Sequence, residues 1–237
     1  MGFDINGLEA VLLSLKYCKD KSNCLTLGRQ GIHISKNTID NISSKFGVKF
    51  SNNIMSTSYS ENLFSELGFT NIESIDYSNY ENASIIHDFN KPIPSHLKDK
   101  YDYIFDGGCT EHIFNIAQVS QNIIDMLKVD GIYVSVTCNN NFSGHGMYQF
   151  SPEYFMSTYT TKYGMEILEL YLTNVNNSFD KWINVKQLEG TNGRNITKIN
   201  NTSETYIISI ARKISNNYLS LFDTPPQQYS YSAYDWK

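Results

Sequence analysis

The chain has 237 residues, 41% of them hydrophobic, and carries 19 Lys and Arg against 24 Asp and Glu for a formal net charge of -5. That length buries a sizeable core and excludes a disulfide-stapled miniature scaffold, while the acidic balance argues against nucleic acid or an anionic membrane as partner, since no global positive field faces phosphates. Cys18, Cys24, Cys109 and Cys138 show no CxxC pattern and no His at ligand spacing, so reduced thiols, a cytoplasmic setting and no metal are expected.

In chain order, residues 1–20 read as an N-terminal amphipathic helix with Leu8, Val11, Leu12 and Leu15 on one stripe, and no apolar run approaches the roughly 18 residues of a membrane span. NCLTLGRQG reads as a first strand closed by a glycine turn. Helices near 35–46 and 59–67 lead to NIESIDYS, a strand ending in Asp76. ASIIHDF, between Asn82 and Pro92, suits a strand covered on both faces, and YDYIFDGG is a further strand ending in Asp106 and two glycines. Thr110 is placed to cap a helix with Ile113, Ala117, Ile124 and Leu127 on its stripe, closed by Gly131 before the strand GIYVSVT. Ser151-Pro152-Glu153 opens another helix, with Gly164 as its C-cap. EILELYLT and ETYIISIARK are the final strands, separated by a polar loop at roughly 175–204, and 223–237 form a tail. The alternation predicts a single α/β domain over 1–237: a Rossmann-like, doubly wound, mostly parallel sheet with helices on both faces and an antiparallel edge hairpin.

Ligands of such a sheet sit outside the carboxyl ends of its strands, which makes Gly28, Asp76, Asp88, Asp106, Gly107 and the run from Asn139 to His145 the informative positions. A carboxylate after the second strand accepts from two ribose hydroxyls at once, and Asp76 fits that role; Asp88 is placed to accept from an adenine amino group. Glycines at strand ends let a ligand approach the backbone. Each of these residues has a plainer alternative as a turn or cap.

YDYIFDGGCTEHIFNIAQVSQNIIDMLKVDGIYVSVTC, with Asp76, His87-Asp88 and the stretch NNNFSGHGMYQFSPEYF, resembles the class I S-adenosylmethionine-dependent methyltransferases over about residues 20–215. The resemblance implies a seven-stranded sheet, S-adenosyl-L-methionine as cofactor, Asp76 on ribose, Asp88 with His87 at adenine, Gly107 at the methionine end, and Glu111-His112 near the sulfonium. It also implies methyl transfer to a small-molecule acceptor, with a hydroxyl of a sugar or substituent in bacterial surface-polysaccharide synthesis as the expected target. One departure stands out: the family's Gly-x-Gly loop is replaced by Leu27-Gly28-Arg29-Gln30-Gly31, where Arg29 and Gln30 either contact the cofactor carboxylate or fill the pocket. A chain that has lost turnover and serves as a binding or assembly protein is the alternative.

If the acceptor is a hydroxyl, His145 and His112 are the candidate bases, because imidazole titrates near neutral pH. His145 lies between Gly144 and Gly146 in a loop expected to close over the acceptor, and is otherwise an idle turn residue. Asn139, Asn140 and Asn141 supply amide groups suited to sugar hydroxyls, and Tyr148 reads as pocket wall.

Overall fold

A computed structural model describes residues 2–185 and 202–227. Its elements in chain order are β1 (Gly2–Phe3), α1 (Ile5–Ser14), β2 (Asn23–Leu27), β3 (Gly31–Ile32), α2 (Lys36–Lys45), α3 (Glu61–Glu66), β4 (Asn71–Asp76), β5 (Ile85–Ile86), β6 (Tyr101–Asp106), α4 (Ile116–Met126), β7 (Leu127–Asn140), α5 (Pro152–Thr158), β8 (Met165–Asn174), β9 (Ile183–Asn184) and β10 (Thr205–Lys213).

One sheet of eight strands runs in the order β5-β4-β2-β6-β7-β10-β8-β9. Neighbours from β5 to β7 pair in parallel, and β10 pairs antiparallel with both β7 and β8. The late antiparallel pair expected from the sequence is therefore present, but β10 inserts between β7 and β8, and the two-residue β9 makes an eighth strand at the edge where seven were expected. From β2 the chain moves outward to β4 and β5, then returns to place β6 on the other side of β2. That reversal opens a crevice at the carboxyl ends of β2 and β6.

Strand alternation sorts the core onto two faces. Along β7, Ile132 and Val134 pack on the side of α1, α2 and α3, whereas Tyr133 joins Val119, Ile123 and Phe155 under α4 and α5. Helix α1 starts where the Asp4 carboxylate accepts the Gly7 N–H at 2.8 Å, an N-cap that satisfies an otherwise orphaned donor. Its residues from Asn6 to Ser14 are all buried, and among the described residues no helix is long and apolar enough to cross a membrane.

Several local expectations change. ASIIHDF contributes only β5, with Ile86 51% exposed, because this edge strand is covered on one side only. Thr110 opens a single 3-10 turn, and α4 begins six residues later with Asn115 as its cap, accepting from the Gln118 N–H. Gly131 does not end that helix. It lies inside β7, where a Cβ would stand 2.9 Å from the Tyr101 carbonyl. Gly164, at φ 72°, caps a short turn after α5 rather than α5 itself. The N-terminal strand β1, which pairs with β3, was not foreseen; it folds the start of the chain over the carboxyl end of the sheet. Residues 186–201 of the expected long loop and 228–237 of the tail lie outside the described residues.

Candidate functional site

Two cavities open at the carboxyl end of the sheet. The first, about 280 Å³, is lined by residues that include Asp76, Tyr77, His87, Asp88, Phe89 and His112. Asp76 closes β4, and its Oδ1 accepts the Ser78 N–H at 3.3 Å, a long bond that leaves lone pairs for a ligand. Asp88 accepts from the Asn90 side chain at 2.9 Å and the Asn90 N–H at 3.0 Å, which holds its carboxyl below the usual range and keeps it ionised. The His87 N–H donates to the Asp76 carbonyl at 2.8 Å, tying the two strand ends together. Phe89 supplies a buried aromatic wall. A flat polar ring with a diol would find both an apolar face and two carboxylates here.

The second cavity, about 190 Å³, is bordered by Asp4, His33, Gly107, Glu111, His145 and Tyr206, among others. Glu111 follows β6 and is 1% exposed. Its Oε1 lies 3.4 Å from Cys138 Sγ and 3.8 Å from His145 Nε2, while Oε2 is buried without a hydrogen-bond partner. Burial, reinforced by the charge of Asp106, pushes its carboxyl up to about 7. The loop carrying His145 is fastened to this residue, since the N–H groups of Met147 and Tyr148 donate to the Glu111 carbonyl at 2.8 and 3.1 Å. The loop thus lies on the site in this structure. His112 and His145 approach to 5.0 Å between ring centroids at the boundary of the two cavities, and burial followed by His145 lowers the His112 pKa.

Other expected residues stand elsewhere. Asp106 is turned away from both cavities: fully buried, it accepts from the Cys109 N–H at 2.8 Å, Thr110 Oγ1 at 2.7 Å and the Tyr133 hydroxyl at 3.2 Å, so it braces the Gly107-Gly108 turn. Arg29 lines neither cavity, because its Nε donates to Glu61 at 2.6 Å, Nη1 reaches the Glu81 carbonyl and the guanidinium lies over the Tyr59 ring. Gln30 points inward, donating to the Leu27 carbonyl at 2.5 Å. Gly28, at φ 70°, makes the turn out of β2 and donates to the Ile75 carbonyl. Asn139 donates to the Phe150 carbonyl and accepts from Thr205, the Asn140 carbonyl receives Thr205 Oγ1, and Asn141 donates to the Ser203 carbonyl. These three asparagines hold the loop to β10 and its approach. Tyr148 donates to the Phe114 carbonyl at 2.6 Å and lines neither cavity.

Sequence reading missed Asp4, His33, Tyr206 and Cys138. Asp4 stands beside the short apolar run of the N-terminal helix, where nothing points to a cavity; Tyr206 lies in a predicted strand and Cys138 directly follows one, but the side each faces depends on a register that the sequence alone does not set.

This sheet order, with β10 antiparallel inside it and a crevice at the switch point, is the class I methyltransferase fold. Solved structures agree with it. A Burkholderia thailandensis 1,6-didemethyltoxoflavin-N1-methyltransferase, solved with 1,6-didemethyltoxoflavin and S-adenosylhomocysteine, matches at TM-score 0.50 and 11% identity over 90% of this chain and 80% of that one. A protein described as a methyltransferase, in complex with the Haloferax volcanii Trm112 methyltransferase activator, matches at TM-score 0.51 and 12% identity over 90% and 92%. The MccD protein matches at TM-score 0.50 and 11% identity over 86% and 96%. No protein-family model matches the sequence, and no curated protein does.

Proposed function

We propose that this protein transfers a methyl group from S-adenosylmethionine to a small polar acceptor. The observation that carries the reading is the pairing of Asp76 and Asp88 in one cavity at the switch point, with a second, acid-lined cavity beginning at His112 and His145. Adenosine fits the first cavity, with its ribose on Asp76 and its base against Phe89 near Asp88. Gly107 and Gly108 then allow the methionine end to pass close to the backbone into the second cavity. A neighbour of the same fold holds S-adenosylhomocysteine, the product this reading requires.

Methyl transfer by displacement needs the acceptor's lone pair in line with the S–CH₃ bond and little water around it. Glu111, His145 and Tyr206 surround the place where such an acceptor would lie, with the carboxylate complementing the sulfonium charge and the other two orienting the nucleophile. A hydroxyl acceptor, of a sugar or related metabolite, is the finer form of the proposal. Calorimetry with S-adenosylhomocysteine tests the core of it: saturable 1:1 binding to the folded protein is expected, and absence of binding overturns the reading.

One observation favours a second reading, a binding protein without turnover. Gln30 occupies the place of the expected glycine loop, and its buried Oε1 has no partner while facing Gly107. In that reading the side chain obstructs the methionine end.

A further inference from the structure

We propose that Glu111, Cys138 and His145 form a binding site for a divalent transition-metal ion, zinc foremost, at the wall of the second cavity. One carboxylate oxygen, one thiol sulfur and one imidazole nitrogen lie within 4.8 Å of one another. Tetrahedral zinc, with ligand bonds of about 2.0 to 2.3 Å, sets neighbouring ligand atoms roughly 3.3 to 3.8 Å apart. The Glu111-to-Cys138 and Glu111-to-His145 separations of 3.4 and 3.8 Å already match two edges of that tetrahedron.

A second, independent observation is Glu111 Oε2. It is buried and unpartnered in a residue 1% exposed, and a carboxylate oxygen withdrawn from water without a donor is costly. The two edges are measured from Oε1, and a cation held by both carboxylate oxygens would supply what Oε2 lacks. The donor set selects among cations: a sulfur and a nitrogen beside one oxygen suit zinc, cobalt or iron, whereas magnesium and calcium demand oxygen throughout. The three residues come from the turn after β6, from β7 and from the loop after β7. The two hydrogen bonds that fasten that loop to the Glu111 carbonyl also hold His145 beside the carboxylate. Sequence spacing gives no hint of the site, because its members stand 27 and 7 residues apart.

Three protein ligands leave a fourth position open, the pattern of catalytic rather than structural zinc. Glu111 and His145 both border the second cavity, so that position faces the proposed acceptor. This part deepens the methyl-transfer reading and rests on it: the acceptor would be an alcohol or thiol whose pKa the cation lowers. Its proton leaves to water, its lone pair forms the new bond to the methyl carbon, and the S–CH₃ electron pair stays on the departing thioether sulfur. The metal changes neither oxidation state nor ligand count beyond the acceptor it held.

Chelator-treated protein, titrated with zinc against a chromophoric competitor and separately with cobalt(II), tests the site. Expected are one ion per chain and a cobalt spectrum with both tetrahedral bands and a thiolate charge-transfer band. His145→Ala should weaken zinc binding at least tenfold, and Cys138→Ser should abolish the charge-transfer band. Cys138 is buried, so the exposed His145, at 46%, provides the variant whose folding is not in question. No stoichiometric binding, affinity unchanged in His145→Ala, or a cobalt spectrum without thiolate character each overturns the proposal. S-Adenosylhomocysteine calorimetry on the same metal-free protein separates the two readings. Cofactor binding without zinc binding removes the metal alone, and zinc binding without cofactor binding removes methyl transfer alone.

Discussion

Gln30 Oε1 lies 2.6 Å from the point where a Cβ on Gly107 would stand, so the side chain from the turn after β2 packs against the turn after β6. A side chain at 107 would force this oxygen or the edge of the Phe105 ring, 2.8 Å from the same point, to shift. The same oxygen is buried and unpartnered beside Gly107, past which the proposed methyl-transfer reading passes the cofactor's methionine end. Replacing Gln30 with Ala is expected to weaken S-adenosylmethionine binding about tenfold, because an acceptor for the cofactor's amino group is lost. Tighter binding in that variant, read by calorimetry, would show that the side chain is an obstruction and would favour the non-enzymatic reading.

Asp76 has little structural work, since its Oδ1 accepts one 3.3 Å bond from Ser78. Asp76→Ala should therefore leave the thermal midpoint within a few degrees of the parent while removing a carboxylate that accepts ribose hydroxyls, at about 1.5 to 3 kcal/mol per charged bond. Cofactor Kd is expected to rise by one to two orders of magnitude, measured beside the melting curve of the same preparation.

Asp106 should behave in the opposite way. Its carboxylate is fully buried and receives donors from Cys109, Thr110 and Tyr133, so Asp106→Ala strands buried donors and loosens the Gly107 turn. A loss of about 3 kcal/mol in denaturant unfolding is expected. A near-neutral effect on stability would show that this network does not brace the turn.

The contrast between Asp76 and Asp106 shows what the sequence made legible. Both are acids at strand ends and read alike, because position in an open sheet follows from alternating apolar runs. Which way the carboxylate turns depends on the loop that follows: Asp106 meets its own Cys109 N–H and Thr110, whereas Asp76 meets only a distant Ser78 N–H. The sheet was readable for the same reason that its strand ends were. The β1–β3 pairing was not, since two-residue strands carry no periodicity, and with it went the N-terminal contribution of Asp4 to the second cavity. Arg29 misled because a guanidinium near a glycine turn invites an anionic ligand, yet Glu61 and Tyr59 sit closer.

Glu9 gives a pH dependence that involves no ligand. It is 1% exposed in α1, and burial pushes its carboxyl up to about 7 despite the bond it accepts from the Phe179 N–H at 2.7 Å. The folded chain therefore holds a proton that the unfolded chain, with an ordinary value of 4.5, releases earlier. Stability falls as pH rises from about 4.5 to about 7, by on the order of 3 kcal/mol, and stays low above that. Glu9→Gln, which keeps an acceptor for Phe179, should be more stable than the parent at pH 8 and show a shallower slope, Glu111 still contributing its own over the same range. Parallel urea titrations at pH 5 and pH 8 check both statements.

His145 is the residue on which the acceptor side turns. Its loop leaves the carboxyl end of β7, Gly144 at φ 85° has open space around it, and the loop's far side is fastened to the Glu111 carbonyl through Met147 and Tyr148. The imidazole is thereby held 3.8 Å from the Glu111 carboxylate and outside the cavity that holds Asp76 and Asp88. Removing it should leave the surroundings of the adenosine end intact while disturbing the nucleophile, whether the ring touches the acceptor directly or through a bound cation. His145→Gln is expected to retain S-adenosylhomocysteine affinity within about threefold and to lower single-turnover methyl transfer by roughly 10²-fold, the scale on which a positioned proton-transfer group acts. Single-turnover measurement with labelled cofactor isolates that step from product release. Transfer within a few-fold of the parent would move the acceptor away from His145 and toward His112, whose ring lies 5.0 Å away at the boundary with the first cavity.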